Sequence, residues 1–414
     1  MNPPLQAPLA GEPLNAWVRL AVSVTLMTIG GSGMFAITVV LPAIQTEFAV
    51  GRSQASLPYA LTLIGFGLGG ILMGRLSDRF GVMVPVLVGA VALGSGFVLA
   101  GSAQTLWQFN LAQALGVGFL GSAATFAPLV ADTSQWFTRR RGIALAICMS
   151  GNYLAGAVWP PIVQHFVEGY GWRATYTGLG YFCTASMLLL GLALRQRAPV
   201  LSVPAASPSA ATAPRRSLVS ERPLGLNANV LTLLLSVAGL SCCVAMSMPQ
   251  VHIVAYCTDL GFGAARGAEM LSLMLGAGIV SRLLSGWISD HLGGLKTLLL
   301  GSVLQLVALT LFLPFDGLVP LYVISGMFGL FQGGIVPCYA LIVREYFTPK
   351  QAGARVGTVL MATLFGMALG GWMSGAIFDL TGSYQAAFVN GIAFNLLNVG
   401  VVLFLLRRRA QLLA

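Results

Sequence analysis

Apolar residues run along this chain in uninterrupted blocks of roughly 20, the length that crosses a bilayer, with short polar punctuation between them. Blocks of this kind predict spanning helices, because the strands of a membrane barrel show shorter segments of alternating polarity. The first block predicts a helix from about Trp17 to Leu41, broken near its middle by Gly30, Gly31 and Gly33 and ended by Pro42. Residues 1–16, rich in Pro and Ala, read as a loose tail, and Glu47 and Arg52 mark the loop that follows the first helix. Further helices are predicted over about Gln54–Gly74, Met83–Ser102, Leu106–Ala131, Ile143–Val167 and Ala174–Leu194. The fifth carries Gly151, Asn152, Tyr153, Gly156, Pro160 and Pro161, so its backbone is expected to bend or unwind near the middle.

The pattern stops at residues 195–227, a Pro-, Ser-, Ala- and Arg-rich stretch without apolar periodicity that reads as a linker. It resumes with spans at about Val230–Tyr256, Ala268–Ile288, Thr297–Phe315, Val319–Val343, Val356–Phe378 and Ala386–Leu406, leaving 407–414 as a second tail. The later spans repeat the earlier ones. GRLSDRFG at Gly74–Gly81 is echoed by GWISDHLG at Gly286–Gly293, an offset of 212. WFTRR at Trp136 returns as YFTPK at Tyr346, and GYGWRATY at Gly169 loosely as LTGSYQAAF at Leu380, offsets of 210 and 211. The expected architecture is an all-α integral membrane protein, twelve transmembrane helices in two pseudo-symmetric six-helix bundles over 17–194 and 228–406. Such halves enclose a site near the membrane midplane.

Composition agrees: 57% of residues are hydrophobic and only 8% charged, against about a quarter in soluble domains. The formal charge of +10 would suggest nucleic acid in a soluble chain, but here its location decides. On the predicted spans 18 of the 22 Lys and Arg fall on one side; Arg52, Arg173 and Arg266 lie on the other, and Arg282 lies within the membrane. That is the positive-inside asymmetry. It predicts a multi-pass plasma-membrane protein, here of a bacterial inner membrane, with both termini cytoplasmic and no nucleic-acid partner. The first apolar run is too long for a signal-peptide core and is expected to remain as helix 1. Cys148, Cys183, Cys242, Cys243, Cys257 and Cys338 lie in or at the ends of apolar spans without metal-ligand spacing, and read as small core residues. No catalytic motif is present, and the glycine run at Gly65–Gly70 sits inside a predicted span, so neither an enzyme, a cofactor, a metal nor a nucleotide is expected.

The chemistry concentrates on Arg282, a single cation in the apolar, glycine-rich run Met270–Ile288. An intramembrane Arg is expensive unless it faces a cavity or an anion, and its planar fork matches a carboxylate. Pairing with a helix end or a neighbouring carbonyl is the plainer alternative. Asn110, Gln113, Asn152, Tyr153, Gln250, Gln332, Tyr339 and Thr363 are the polar residues that would complete a binding cavity, though each serves equally as a hydrogen bond between helices. Two groups could carry a proton. His252 titrates near neutrality when unperturbed, but a lone His on an apolar helix also packs. Asp259 lies 23 residues before Arg282, too far along two straight helices for direct pairing, and its Asp-Leu-Gly turn could equally end a helix.

The paired loops resemble the signature of the major facilitator superfamily: Gly74, Asp78, Arg79 and Gly81 in the first copy, Gly286, Asp290 and Gly293 in the second, with His291 where a basic residue is usual. The resemblance implies a six-plus-six bundle that works by alternating access, with these motifs clamping and releasing one half against the other. A narrower resemblance, to the monocarboxylate and oxalate–formate transporter branch, rests on Gln135–Pro161, Gly169–Tyr176, His252–Gly261 and Ser281–Asp290. It implies that Arg282 binds the substrate carboxylate and that Asp259 is the nearest match to a proton-coupling carboxylate. The eleventh helix has no lysine between Val356 and Phe378, which leaves one cation for one carboxylate. The expectation is a monomeric secondary transporter that moves a small organic monocarboxylate with a proton. The alternative, an exporter of amphipathic drugs or siderophores, predicts a large apolar cavity and tolerance of Arg282→Ala.

Overall fold

The structure is a computed structural model that describes residues 14–137, 140–196 and 223–413. Most of the 195–227 linker, Arg139 of the basic cluster, and residues 1–13 and 414 of the tails lie outside the described residues. Twelve helices are long and apolar enough to span a membrane. They are α1 (Leu14–Glu47), α2 (Arg52–Phe80), α3 (Met83–Ser102), α4 (Leu106–Trp136), α5 (Gly142–Tyr170) and α6 (Trp172–Arg195) in the N half. The C half holds α7 (Ala228–Asp259), α8 (Ala264–Leu292), α9 (Gly294–Leu311), α10 (Leu318–Tyr346), α11 (Gln351–Thr381) and α12 (Tyr384–Gln411). With an even number of spans both chain ends fall on one side, here named the terminal end; the other is the far end.

Glycine and proline act differently from the sequence expectation. α1 is interrupted only at Gly31 and continues through Pro42 to Glu47. The carbonyl of Gly30, freed by that interruption, accepts a hydrogen bond from the Ser122 hydroxyl at 2.8 Å. α5 does not unwind at Pro160 and Pro161 but stays helical throughout. Pro161 has no N–H for the Ala157 carbonyl, and that carbonyl instead accepts from Ser272 of α8. Irregular backbone appears instead in α4, which is a wide π-helix over Ala112–Gly121 and a tight 3₁₀ turn over Ser122–Thr125, and in α10, which breaks at Gly333 and Gly334. The π stretch packs backbone on backbone: a Cβ at Gly116 would lie 2.6 Å from Gly96 Cα, and one at Gly118 would lie 2.5 Å from the Thr62 carbonyl oxygen.

The signature motifs are helix ends, not loops. Asp78 and Arg79 belong to the last turn of α2 and Asp290 to that of α8; Gly81 and Gly293 stop the helices with φ of 87° and 82°, which favours glycine. Charged residues there continue a helix beyond the apolar block, so hydrophobic length alone underestimates it. In the same way α1 begins at Leu14, inside the predicted tail, and α12 continues past Arg407–Arg409.

The halves meet along two seams, α2 against α11 and α5 against α8. Toward the far end the first seam is tight: a Cβ at Gly375 would lie 2.7 Å from the Arg52 carbonyl oxygen, and one at Gly371 would lie 3.3 Å from Tyr59. Toward the terminal end the halves splay, and a Cβ at Gly70, Gly74, Gly353 or Gly357 would meet no atom within 4 Å. The second seam behaves alike: Gly156 and Gly278 are pressed against Leu275 and Tyr153, whereas Gly142 and Gly286 are open. Between α2, α7 and α11 a cleft of about 1080 Å³ opens at the terminal end, bordered by Ile71, Ser236, Arg355, Met361 and Phe365.

Candidate functional site

Arg282 sits on α8 where the second seam passes from closed to open. Its Nη1 donates to the Met149 carbonyl of α5 at 3.2 Å, and its Nε lies 3.5 Å from the Gly333 carbonyl at the α10 break. The guanidinium carbon stands 4.4 Å from the centre of the Tyr153 ring, a cation–π contact across the halves. The local sequence explains why Gly333 is available. Its helical partner four residues on is Pro337, which has no N–H, so this carbonyl is left for another donor. Among the described residues no carboxylate forms a salt bridge with Arg282. Its charge meets only two main-chain oxygens and a ring face.

Three of the eight predicted lining residues gather near it, and a fourth is the chain neighbour of one of them. Tyr153 touches it directly. Asn152, next in the chain, borders a cavity of about 170 Å³ with Gly30, Gly31, Met34 and Thr125, which places the α1 interruption beside α5. Gln250 donates to Gln332 at 3.1 Å, and Gln332 directly precedes Gly333. The Gln332 amide nitrogen is buried and has no hydrogen-bond partner among the described residues. The other four are not brought to Arg282. Gln113 donates to the Tyr176 hydroxyl at 3.0 Å, tying α4 to α6, and Asn110 is buried one turn away on α4. Tyr339 donates to Asn398 at 2.9 Å within a buried Ser302–Asn395–Asn398 cluster, and Thr363 bonds back to the Leu360 carbonyl of its own helix. Gln113 and Tyr339 thus hold helices of one bundle together, the use that low-dielectric surroundings favour.

Asp259 and His252 are far from Arg282 but close to each other's partners. Asp259, at the far end of α7, binds Arg52 Nη2 of α2 at 2.6 Å, and Arg52 Nη1 donates to Tyr384 at 2.6 Å. His252 is fully buried, with Nδ1 3.0 Å from the same Tyr384 hydroxyl and Nε2 2.7 Å from the Gly371 carbonyl. Asp379 of α11 completes the group by accepting from the main-chain N–H of Arg52 and Ser53 at 2.7 and 2.9 Å, which caps the first turn of α2 from the opposite half. The sequence reading placed Arg52 in a loop. It is in fact the first residue of α2 and only 7% exposed. The available signal was its position: one of three basic residues on the side that otherwise lacks them.

At the other end, Asp78, Arg79, Gly286 and Asp290 are separated from the closed parts of both seams. Arg79 rests its guanidinium on neighbouring Phe80, and Asp78 is exposed.

Comparison with known proteins bears on this fold. The family model described as Major Facilitator Superfamily matches residues 22–329 and 270–413. Monocarboxylate transporter 13 of Bos taurus is 29% identical over 336 residues, covering 80% of this chain and 75% of that protein. Among solved structures, a mutant of the nucleoside transporter NupG superposes with a TM-score of 0.72 at 12% identity, covering 93% of this chain and 99% of that one. A bacterial homologue of the human lysosomal transporter Spinster, inward-facing and unoccupied, gives 0.67 at 15% identity, covering 97% and 96%. The duplicated bundle, the signature turns and the family match lead to one assignment: the chain belongs to the major facilitator superfamily of membrane transporters.

Proposed function

We propose that this protein moves a small organic monocarboxylate across the membrane by alternating access, coupled to a proton, with Arg282 as the cation that receives the carboxylate. The observation that carries the proposal is a partly buried guanidinium at the seam, held by Met149, Gly333 and Tyr153 yet lacking an anionic partner among the described residues. A substrate carboxylate supplies the missing charge, and Tyr153 and Met149 on one half with Arg282 and Gly333 on the other let both halves sense it. Gln250, Gln332 and Asn152 are the polar neighbours offered to the rest of the substrate. Relatives named as monocarboxylate transporters support the same substrate class.

The basic terminal end is assigned to the cytoplasm, with the linker 195–227 and both tails on that side, which makes the present arrangement inward-facing. The proton is assigned to Asp259 and His252. Neither contacts Arg282, so coupling acts through closure of the far end and not by sharing the substrate. The monomer is the transporting unit, in a bacterial plasma membrane.

The test is counterflow of radiolabelled lactate, pyruvate, oxalate and aromatic acids into proteoliposomes. At least one monocarboxylate is expected to accumulate, and Arg282→Gln is expected to reduce its uptake about a hundredfold, the effect of losing a bidentate charge-assisted contact. Accumulation of a neutral amphipathic compound with Arg282→Gln fully active would replace this reading with the exporter.

A further inference from the structure

The two halves close their far-end corners by unlike means. In the N half, α1 ends on Glu47 and α6 opens with Trp172 and Arg173. Arg173 binds Glu47 at 2.7 Å, the Trp172 indole donates to the same carboxylate, and Arg173 also donates to the Gly101 and Ala103 carbonyls at 2.9 and 2.7 Å. That corner is satisfied within its own half.

The internal repeat says what stands at the same places in the C half. At offsets of 212 and 211, Asp259 corresponds to Glu47 and Tyr384 to Arg173. The register is fixed by Gly171 and Gly382, which lie one residue before the start of α6 and two before that of α12, each two residues before the position compared, and both at positive φ, 77° and 68°. A phenol therefore occupies the position at which the N half has its guanidinium. Tyr384 cannot neutralise Asp259, and the cation arrives from the other half as Arg52. Arg52 also donates to Gln45 of its own half and lies 4.4 Å from the centre of the Phe378 ring of α11.

We propose that Arg52 is the latch that holds the far end shut between the halves, and that tyrosine in place of arginine at position 384 is what leaves Asp259 for Arg52 to bind. Three groups of the C half, Asp259, Asp379 and Tyr384, converge on residues 52 and 53 of the N half. Opening the far end must break these charge-assisted bonds together, whereas the Glu47–Arg173 corner moves as part of one rigid half. The same offset that reveals the duplication thus locates the joint.

The test needs no substrate, so it succeeds or fails apart from the carboxylate assignment. Spin labels on Gln104→Cys and Asp316→Cys, both exposed far-end positions on opposite halves, report their separation by double electron–electron resonance in the full chain in nanodiscs. The six native cysteines are buried. Arg52→Gln is expected to add a long-distance population, raising the open-to-closed ratio roughly tenfold. Tyr384→Arg gives Asp259 a partner inside its own half and is expected to do the same with Arg52 itself left in place. Tyr384→Phe, which removes only the hydroxyl, should shift the ratio less, and Arg173→Gln should not shift it. An unchanged distribution in Arg52→Gln and Tyr384→Arg, an equal shift in Tyr384→Phe, or an equal shift in Arg173→Gln overturns the proposal.

Discussion

The far end and the terminal end are built from the same two helix pairs, yet they place their charges differently. At the far end an arginine of one half binds an aspartate of the other. At the terminal end Arg19 and Asp132 pair between α1 and α4, with Arg19 also donating to the Leu194 carbonyl of α6, and Arg409 pairs with Glu345 between α12 and α10. Arg355 likewise donates to the Ala228 carbonyl and Thr232 hydroxyl of α7, within the C half. Bonds inside a half make that half rigid; bonds between halves decide whether the seam stays shut. A rocking carrier needs both kinds, and needs them in different places.

The sharpest way to break this contrast is to remove a bond that should matter only within a half. Arg19→Met leaves Asp132 buried without its cation and is expected to destabilise the N half by about 3 kcal/mol or more. Thermal unfolding in detergent should register the loss, while the spin-label distance across the far end stays as in the parent. A change in that distance would show that Arg19 belongs to the joint after all. A smaller effect is expected from crowding the tight seam. Gly375→Val presses a branched side chain on the Arg52 backbone, an overpacking worth about 1–3 kcal/mol, and should populate the open far end. Gly357→Val, on the splayed part of the same helix, should leave that distance unaltered, and equal behaviour of the two would contradict the seam geometry. Least of all is expected from Arg266→Ala, because its partner Glu269 lies one turn away on the same exposed surface of α8. Melting temperature and distance distribution should both match the parent; a shift in either would mean that exposed far-end charge matters without bridging the halves.

The twelve spans and their duplication were legible because hydrocarbon thickness imposes a length on every apolar block and the signature turns return at a fixed offset. Arg282 was legible for the same reason: a charge inside such a block stands out. Helix ends were less so, since Asp78, Arg79 and Glu47 extend helices past the apolar signal. Proline misled at Pro160 and Pro161, where α8 supplies a donor to the carbonyl that Pro161 leaves free, and at Pro42, which α1 tolerates. Its informative instance was Pro337, whose missing N–H is what leaves Gly333 to Arg282. The polar candidates divided by which face of the helix they occupy. Tyr153 faces the seam side of α5, whereas Asn152 borders α1 and α4 of its own half and Gln113 and Tyr339 bind within their own bundles, a distinction that one-dimensional spacing does not carry. Arg52 was hidden because its value depends on partners 207 to 332 residues away.

Two of the three groups that steady Arg282 belong to the main chain, so the oxygen at 149 persists whatever amino acid occupies that position, while 333 is held to glycine because a Cβ there would lie 2.2 Å from the Gly278 carbonyl oxygen. Substitution can reshape the surroundings through Tyr153, Asn152 or Gln332 without dislodging the cation. Such an anchorage is inherited with the backbone path itself, which leaves descendants of this protein free to change the side chains around the cation while keeping its place.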